Sequence, residues 1–189
     1  MKNKILELHP DLKGEMINGS YIYREGESLY QFYLTKYAGV DTENGEALYW
    51  AKDADGAEYK TNDWSAAYNT NRQASGDLLP TIYGGIGTTL DFYGFDFSIQ
   101  CAYQLGGEIY DSGYQALMHG GDSHYLGYNW HKDILNAWTP ENTSSNIPRI
   151  DAIDKYTNSS SDRWLTSSDY FAINNITLGY TLPKRWLRN

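Results

Sequence analysis

PTIYGGIGTTLDFYGFDFSIQCAYQLGG, residues Pro80 to Gly107, carries the clearest pattern in the chain. In its second half Phe95, Phe97, Ile99, Cys101, Tyr103 and Leu105 alternate with Asp96, Ser98, Gln100, Ala102 and Gln104. A period of two puts one apolar and one polar row on opposite faces of a strand. The first half repeats it more weakly, with Ile82, Ile86, Leu90 and Phe92 against Tyr83, Thr89 and Asp91. Between them Tyr93-Gly94 is short enough for a two-residue hairpin turn, in which glycine readily takes positive φ. Arms of about eleven residues, rising roughly 3.3 Å per residue and tilted by about 40–45°, climb about 25 Å, the height of an outer-membrane barrel's apolar band. The pair therefore fits a transmembrane β-hairpin, lipid on one side and a watery lumen on the other. Half-buried strands of soluble sandwiches alternate in the same way, so the rest of the chain has to decide.

A length of 189 residues suffices for one domain with a core, or for a piece of something larger. Tyrosine, at 18 residues, is over-used; it suits places where a ring meets apolar material and its hydroxyl meets water, such as barrel girdles and sugar-binding surfaces. A net charge of −9 argues against a nucleic-acid partner, which needs Lys/Arg patches. The negative mean hydropathy and the lack of a long apolar run exclude a transmembrane helix but not a barrel, whose strands are half apolar. Cys101 is the only cysteine, so no internal disulfide forms. Its place in the apolar row marks it as a small hydrophobe. Met1 to Leu8 is far short of a signal peptide's apolar region, and Tyr170 to Leu182 has no following strand to pair with. Both ends read as cuts.

Residues 1–8 read as the tail of a strand closed by Pro10. Short strands are expected at Tyr21-Ile22-Tyr23, from Leu29 to Tyr37 and from Ala47 to Trp50. The Asp53-Ala-Asp55-Gly56 turn predicts a return strand through Ala57 to Thr61. Asp63 is placed to cap a short helix over Trp64 to Tyr68. Gly106 to Ser168 looks irregular, with one helix from Asn129 to Trp138 presenting Trp130, Ile134 and Trp138 on one face. Asn158 to Ser161 reads as a flexible tip. Tyr170 to Leu182 reads as a strand whose even positions are mostly apolar, with Pro183 as its stop.

Outer-membrane barrels have short periplasmic turns and long extracellular loops. With Tyr93-Gly94 as the periplasmic turn, the excursions 9–80 and 106–168 both fall outside, and the barrel strand at 169–182 descends from the second. The expectation is an all-β antiparallel meander. It would be a partial segment of a large transmembrane β-barrel spanning 1–189, with a central hairpin at 81–105 and long extracellular loops carrying short helices.

A series of short landmarks accompanies this plan. They are Tyr37-Ala-Gly-Val-Asp41 with Gly45, Leu79-Pro80 with Tyr83-Gly84-Gly85, and Tyr93-Gly-Phe-Asp-Phe-Ser98. They continue with Gly106-Gly107 and Ile109-Tyr110-Asp111, Trp138-Thr-Pro-Glu-Asn142 with Ile147-Pro148-Arg149, and Asn174-Asn-Ile-Thr-Leu-Gly-Tyr180 with Pro183. In this order they resemble the C-terminal part of SusC/RagA-type TonB-linked outer-membrane transporters, from about residue 35 to the end. The resemblance implies a Bacteroidetes importer of oligosaccharides or peptides: a barrel of the plugged ~22-stranded class, lidded by a SusD-like surface lipoprotein and driven by the TonB complex through N-terminal parts that this chain lacks.

The remaining motifs are weak. His119-Gly-Gly-Asp-Ser-His124 matches no zinc spacing, so exposed loop histidines are expected there rather than a metal site. Asp53-Ala-Asp55-Gly56 opens like a calcium loop, but Asn62 stands where the bidentate acid belongs. Gly84-Gly-Ile-Gly87 lacks the third glycine and the helix of a dinucleotide site, and its small residues relieve crowding in a strand. Asp91 and Asp96 sit beside a turn rather than in a cleft, and no Ser/His/Asp arrangement has local support. No catalytic residue and no cofactor are expected. Among aromatics in the excursions, Trp64, Tyr68, Tyr125, Tyr128 and Trp130 are the candidates for substrate or lid contact, since aromatic faces stack on sugars and anchor interfaces. The competing class is a soluble β-rich carbohydrate-binding module, which would bury Phe97, Ile99 and Tyr103 under a second sheet instead of turning them to outer-membrane lipid.

Overall fold

The computed structural model describes residues 3–186. Its strands are β1 (Glu15–Asn18), β2 (Tyr21–Arg24), β3 (Gln31–Thr35), β4 (Tyr37–Val40), β5 (Ala47–Lys52), β6 (Glu58–Thr61), β7 (Arg72–Asp77), β8 (Ile82–Phe92), β9 (Phe95–Leu105), β10 (Glu108–Tyr110), β11 (Leu165–Ser167) and β12 (Tyr170–Tyr180). Two short helices, α1 (Trp64–Thr70) and α2 (Ser112–Leu117), join them. The all-β antiparallel plan holds.

The organising element is the sheet β12-β9-β8. Its three strands are 11 residues long, as a tilted crossing of the bilayer requires. β8 and β9 pair without interruption from Ile82↔Leu105 to Phe92↔Phe95. Tyr93 (φ 47°) and Gly94 (φ 88°) are both left-handed, which is the two-residue turn that matches strand twist. None of the described elements packs across this sheet, and the large apolar side chains along its edges stay exposed.

The first excursion holds two sheets, β1-β2-β3-β7 and β4-β5-β6. The single strand expected from Leu29 to Tyr37 is instead two strands belonging to different sheets. Leu34 and Thr35 are both buried, so the alternation breaks and the chain crosses from one sheet to the next. In β5 the inward residues Ala47, Tyr49 and Ala51 leave room for α1, whose Ala67 packs on them. Asp63 caps that helix as expected, its Oδ1 accepting the amides of Ser65 and Ala66. The strand tail expected at 1–8 does not form among the described residues; Ile5 only exchanges backbone hydrogen bonds with Gly26 and Glu27. Residues 1 and 2, and the chain end at Arg188-Asn189, lie outside the described residues.

The second excursion is not irregular filler. β10 and β11 pair at its neck, and Met118, Ala137, Ile147 and Trp164 form a core lined by Tyr110, Tyr114 and Ile134. The helix expected from Asn129 to Trp138 shrinks to a 3-10 turn, Lys132–Asn136. His131 Nδ1 accepts the Asp133 amide and starts the turn there. The three side chains of the expected stripe then part: Ile134 enters the core, while Trp130 and Trp138 find partners elsewhere.

The tip at Asn158 to Ser161 is pinned rather than flexible. Ser161 is fully buried, and the carbonyls of Tyr156, Asn158, Ser159 and Ser160 accept from Tyr49, Gln115, Trp164 and Trp64. Two of those donors belong to the first excursion, so the excursions interlock. Arg149 completes the joint, donating from Nη1 to Asn44 O (2.8 Å) and from Nη2 to Glu46 Oε1 (3.2 Å). Trp138 lies across Gly45, where a Cβ would meet its ring at 2.5 Å. Glycine there serves both the close approach and the positive φ of 77°.

Candidate functional site

The register of the sheet sorts its side chains onto two faces. One face carries Phe95, Phe97, Ile99, Cys101, Tyr103 and Leu105 of β9, beside Ile82, Ile86, Leu90 and Phe92 of β8. On β12 the facing residues are Tyr180, Leu178 and Ile176, opposite Phe95, Phe97 and Ile99. At Asn174 the register shifts, so the next residues on this face are Ile173 and Phe171, opposite Cys101 and Tyr103. One extra residue in a strand reverses the parity of everything beyond it. The expectation of apolar even positions therefore holds only from Ile176 onward, and the bulge keeps Phe171 and Ile173 on the apolar side. Gly84 lies beneath the Tyr103 ring, whose hydroxyl would stand 2.9 Å from a Cβ, which accounts for a small residue on a greasy face.

The opposite face carries Tyr83, Thr89, Asp91, Asp96, Ser98, Gln100, Gln104, Asn175 and Thr177, with Gly85, Gly87, Ala102 and Gly179 between them. An apolar face of such breadth, uncovered along three strands, has the character of a surface made for a non-aqueous neighbour. Both excursions leave from the same end of the sheet. There Thr81 N–H donates to Leu105 O, Gly106 N–H donates to Asp169 Oδ1, and Gln104 reaches Ser168. The other end holds the Tyr93-Gly94 turn, and Thr181 N–H donates to Gly94 O there.

The five candidate aromatics fall into two groups. Trp64 and Tyr68 meet at 4.8 Å on α1 with their rings tilted, the Arg72 guanidinium 4.3 Å from the Tyr68 ring and the Trp64 indole N–H on Ser160 O. Tyr125, Tyr128 and Trp130 gather around His119. The His119 ring is sandwiched between Tyr125 (4.6 Å) and Trp130 (4.9 Å), and Tyr128 meets Tyr125 edge-on. His119 is only 1% exposed, against the expectation of an exposed loop histidine. Its Nδ1 accepts the Gly121 amide, while Trp130 Nε1 donates to His119 O. His119 sets the posture of the aromatic loop, and no local pattern in the sequence marks it. Tyr128 and Trp130 remain the open members, at 62% and 47% exposure. Among the described residues no three His, Cys, Asp or Glu side chains come together as a metal would require.

Electrostatics in the excursions follow burial and, at Asp151, hydrogen bonding. The Tyr49 hydroxyl is pushed well above its ordinary range by desolvation while donating to Tyr156 O. Burial raises the Asp162 carboxyl, against the Tyr37 amide that donates to it at 2.7 Å. Asp151 is lowered, first by the Ile153 amide and then, against some desolvation, by Arg149.

No protein-family model matches the chain. TonB-dependent receptor P3 of Formosa agariphila is 30% identical over 172 residues, which cover 88% of this chain and 16% of that protein. TonB-dependent receptor P26 of the same organism is 24% identical, over 96% of this chain and 19% of its own length. A chain of the RagAB peptide transporter superposes with a TM-score of 0.69 at 25% identity, covering 92% of this chain and 19% of that one. The "open-open" state of the RagAB peptide importer gives 0.76 at 23% identity. The chain thus spans a fifth or less of the length of these relatives. With an uncovered apolar face, strands of membrane-crossing length and these likenesses in hand, the chain belongs to the SusC/RagA-type TonB-dependent receptors of the outer membrane, as a sector of their β-barrel.

Proposed function

We propose that this chain forms one lipid-facing sector of a TonB-dependent importer, with excursions 9–80 and 106–168 on the extracellular side and Tyr93-Gly94 at the periplasm. Both excursions spring from one end of the sheet and a two-residue turn closes the other, the asymmetry outer-membrane barrels have. This single observation carries the orientation. The work is transport rather than catalysis: energy comes from the TonB complex through parts of the receptor outside this chain, and a SusD-like lipoprotein covers the mouth. The cargo is an oligosaccharide or a peptide, the latter being what the RagAB proteins are named for. Tyr125, Tyr128 and Trp130, with Trp64 and Tyr68 further along, are the aromatics offered to cargo or lid.

Tyr128 is the discriminating residue, because it is well exposed and meets its aromatic neighbour Tyr125 edge-on, which leaves its ring face open. In the complete receptor, expressed with its lipoprotein, Tyr128→Ala is expected to lower nutrient uptake or lid capture about tenfold, the scale of an exposed aromatic anchor. Surface levels of the receptor should not change. Unaltered uptake and unaltered lid capture would remove this loop from the site. A soluble sugar-binding module would instead be monodisperse in water without detergent.

A further inference from the structure

The turn end of the sheet combines two features that the import reading does not use. Phe92, Phe95 and Tyr180 form a row across all three strands on the apolar face, Phe92 stacked on Phe95 at 5.7 Å and Tyr180 tilted against it at 4.5 Å, and Tyr93 at the tip is 98% exposed. Directly beyond, Leu182 remains exposed, and Lys184–Trp186 forms a 3-10 turn closed by the Trp186 amide on Pro183 O. Lys184 and Arg185 are exposed, and Trp186 is 64% exposed. Among the described residues no carboxylate lies in ion-pair range of either cation.

The charge distribution sharpens the contrast. Excursion 9–80 has six Lys and Arg against twelve Asp and Glu, and excursion 106–168 has four against eight. Residues 183–189 hold Lys184, Arg185 and Arg188 and no acid. Cations set immediately outside an aromatic girdle are placed at the depth of lipid headgroups, where each gains from an anionic surface.

We propose that Lys184, Arg185 and Trp186 form a headgroup site for an anionic phospholipid of the periplasmic leaflet, with the acyl chains lying on the Phe92–Phe95–Tyr180 row. This rests on the barrel orientation proposed above. The two cations bind the phosphate, and the indole sits at the boundary between headgroup and chain.

The test uses the complete receptor in nanodiscs of phosphatidylethanolamine with a minor share of phosphatidylglycerol. Lipid retained after extraction is counted by native mass spectrometry. Wild type is expected to retain phosphatidylglycerol preferentially, and Lys184→Gln/Arg185→Gln to lose that preference by roughly thirty-fold, the product of two surface cations. Retention of phosphatidylethanolamine and the heat-shift of the folded barrel on gels should stay as in wild type. Equal preference in the variant, or loss only with an acidic periplasmic protein present, overturns the site. Tyr93→Cys, at the exposed turn tip, treated with a membrane-impermeant maleimide on intact cells separates this failure from that of the barrel orientation. Protection until the outer membrane is opened keeps the orientation while the headgroup site falls; labelling on intact cells brings down both.

Discussion

The sheet β12-β9-β8 and the two excursions are built from the same chain to opposite rules. Among the described residues, every buried side chain belongs to the excursions, from Ile22 and Tyr49 in the first to Met118 and Trp164 in the second. The sheet has none: Ile86, Phe171 and Leu178 are 65%, 66% and 72% exposed. A three-stranded single layer with one open apolar face has no core of its own to offset the entropy of ordering. The excursions carry two small cores, a capped helix and an interlocked set of hydrogen bonds, as water-soluble domains do. The difference teaches that two solvents act on one polypeptide, and that apolar exposure in the sheet is a requirement rather than a defect.

Substitutions in each region should respect that division. Trp164→Ala empties the middle of the second excursion's core and is expected to cost about 3–5 kcal/mol. Hydrogen exchange in the complete receptor should show 106–168 opening while β8, β9 and β12 stay protected. Barrel strands that lose protection together with the excursion would erase the distinction. Ile99→Arg puts a charge near the middle of the apolar face and should cost about 2–4 kcal/mol in refolding from denaturant into vesicles. Gln100→Arg, one residue on and facing the other way, should cost less than about 1 kcal/mol; equal costs would mean that the faces are not differently solvated.

The smallest effect concerns Asp162, whose carboxyl is raised by burial. A raised acid binds its proton more readily folded than unfolded. Ionisation therefore subtracts stability as pH climbs above the ordinary carboxylate range near about 4 and through the raised value. Asp162→Asn keeps an oxygen for the Tyr37 amide and removes the charge. It should be more stable than wild type at neutral pH, by no more than about 1 kcal/mol for a partly exposed group. Below about pH 4 that advantage should vanish, and thermal melts across pH read it directly.

How much of this was legible in the sequence follows the same division. β8 and β9 are readable because a half-apolar strand advertises itself by alternation, and the turn by Tyr93-Gly94. β12 is readable only in part. Asn174 interrupts its apolar row, and parity alone does not reveal that the interruption is a bulge which moves Phe171 and Ile173 onto the apolar face. In the excursions, local chemistry such as the Asp63 cap is visible. Long-range pairing is not: β7 (RQASGD) has no apolar alternation and is a strand because β3 offers it an edge. The burial of Ser161 and the His119 sandwich have no local signature: distant Trp64 and Tyr49 pin the tip around Ser161 through its neighbours' carbonyls, and the nearby Tyr125 and Trp130 rings meet His119 only once the loop folds back on itself.

The most direct measurement is a nitroxide scan along β12 in the complete receptor reconstituted in lipid, comparing collision with oxygen and with a water-soluble nickel chelate. Labels at 171, 173, 176 and 178 should meet oxygen, and labels at 172, 175 and 177 the chelate, with the alternation changing phase at Asn174. Uniform contact with the chelate, or an unbroken period of two through position 174, would contradict the account.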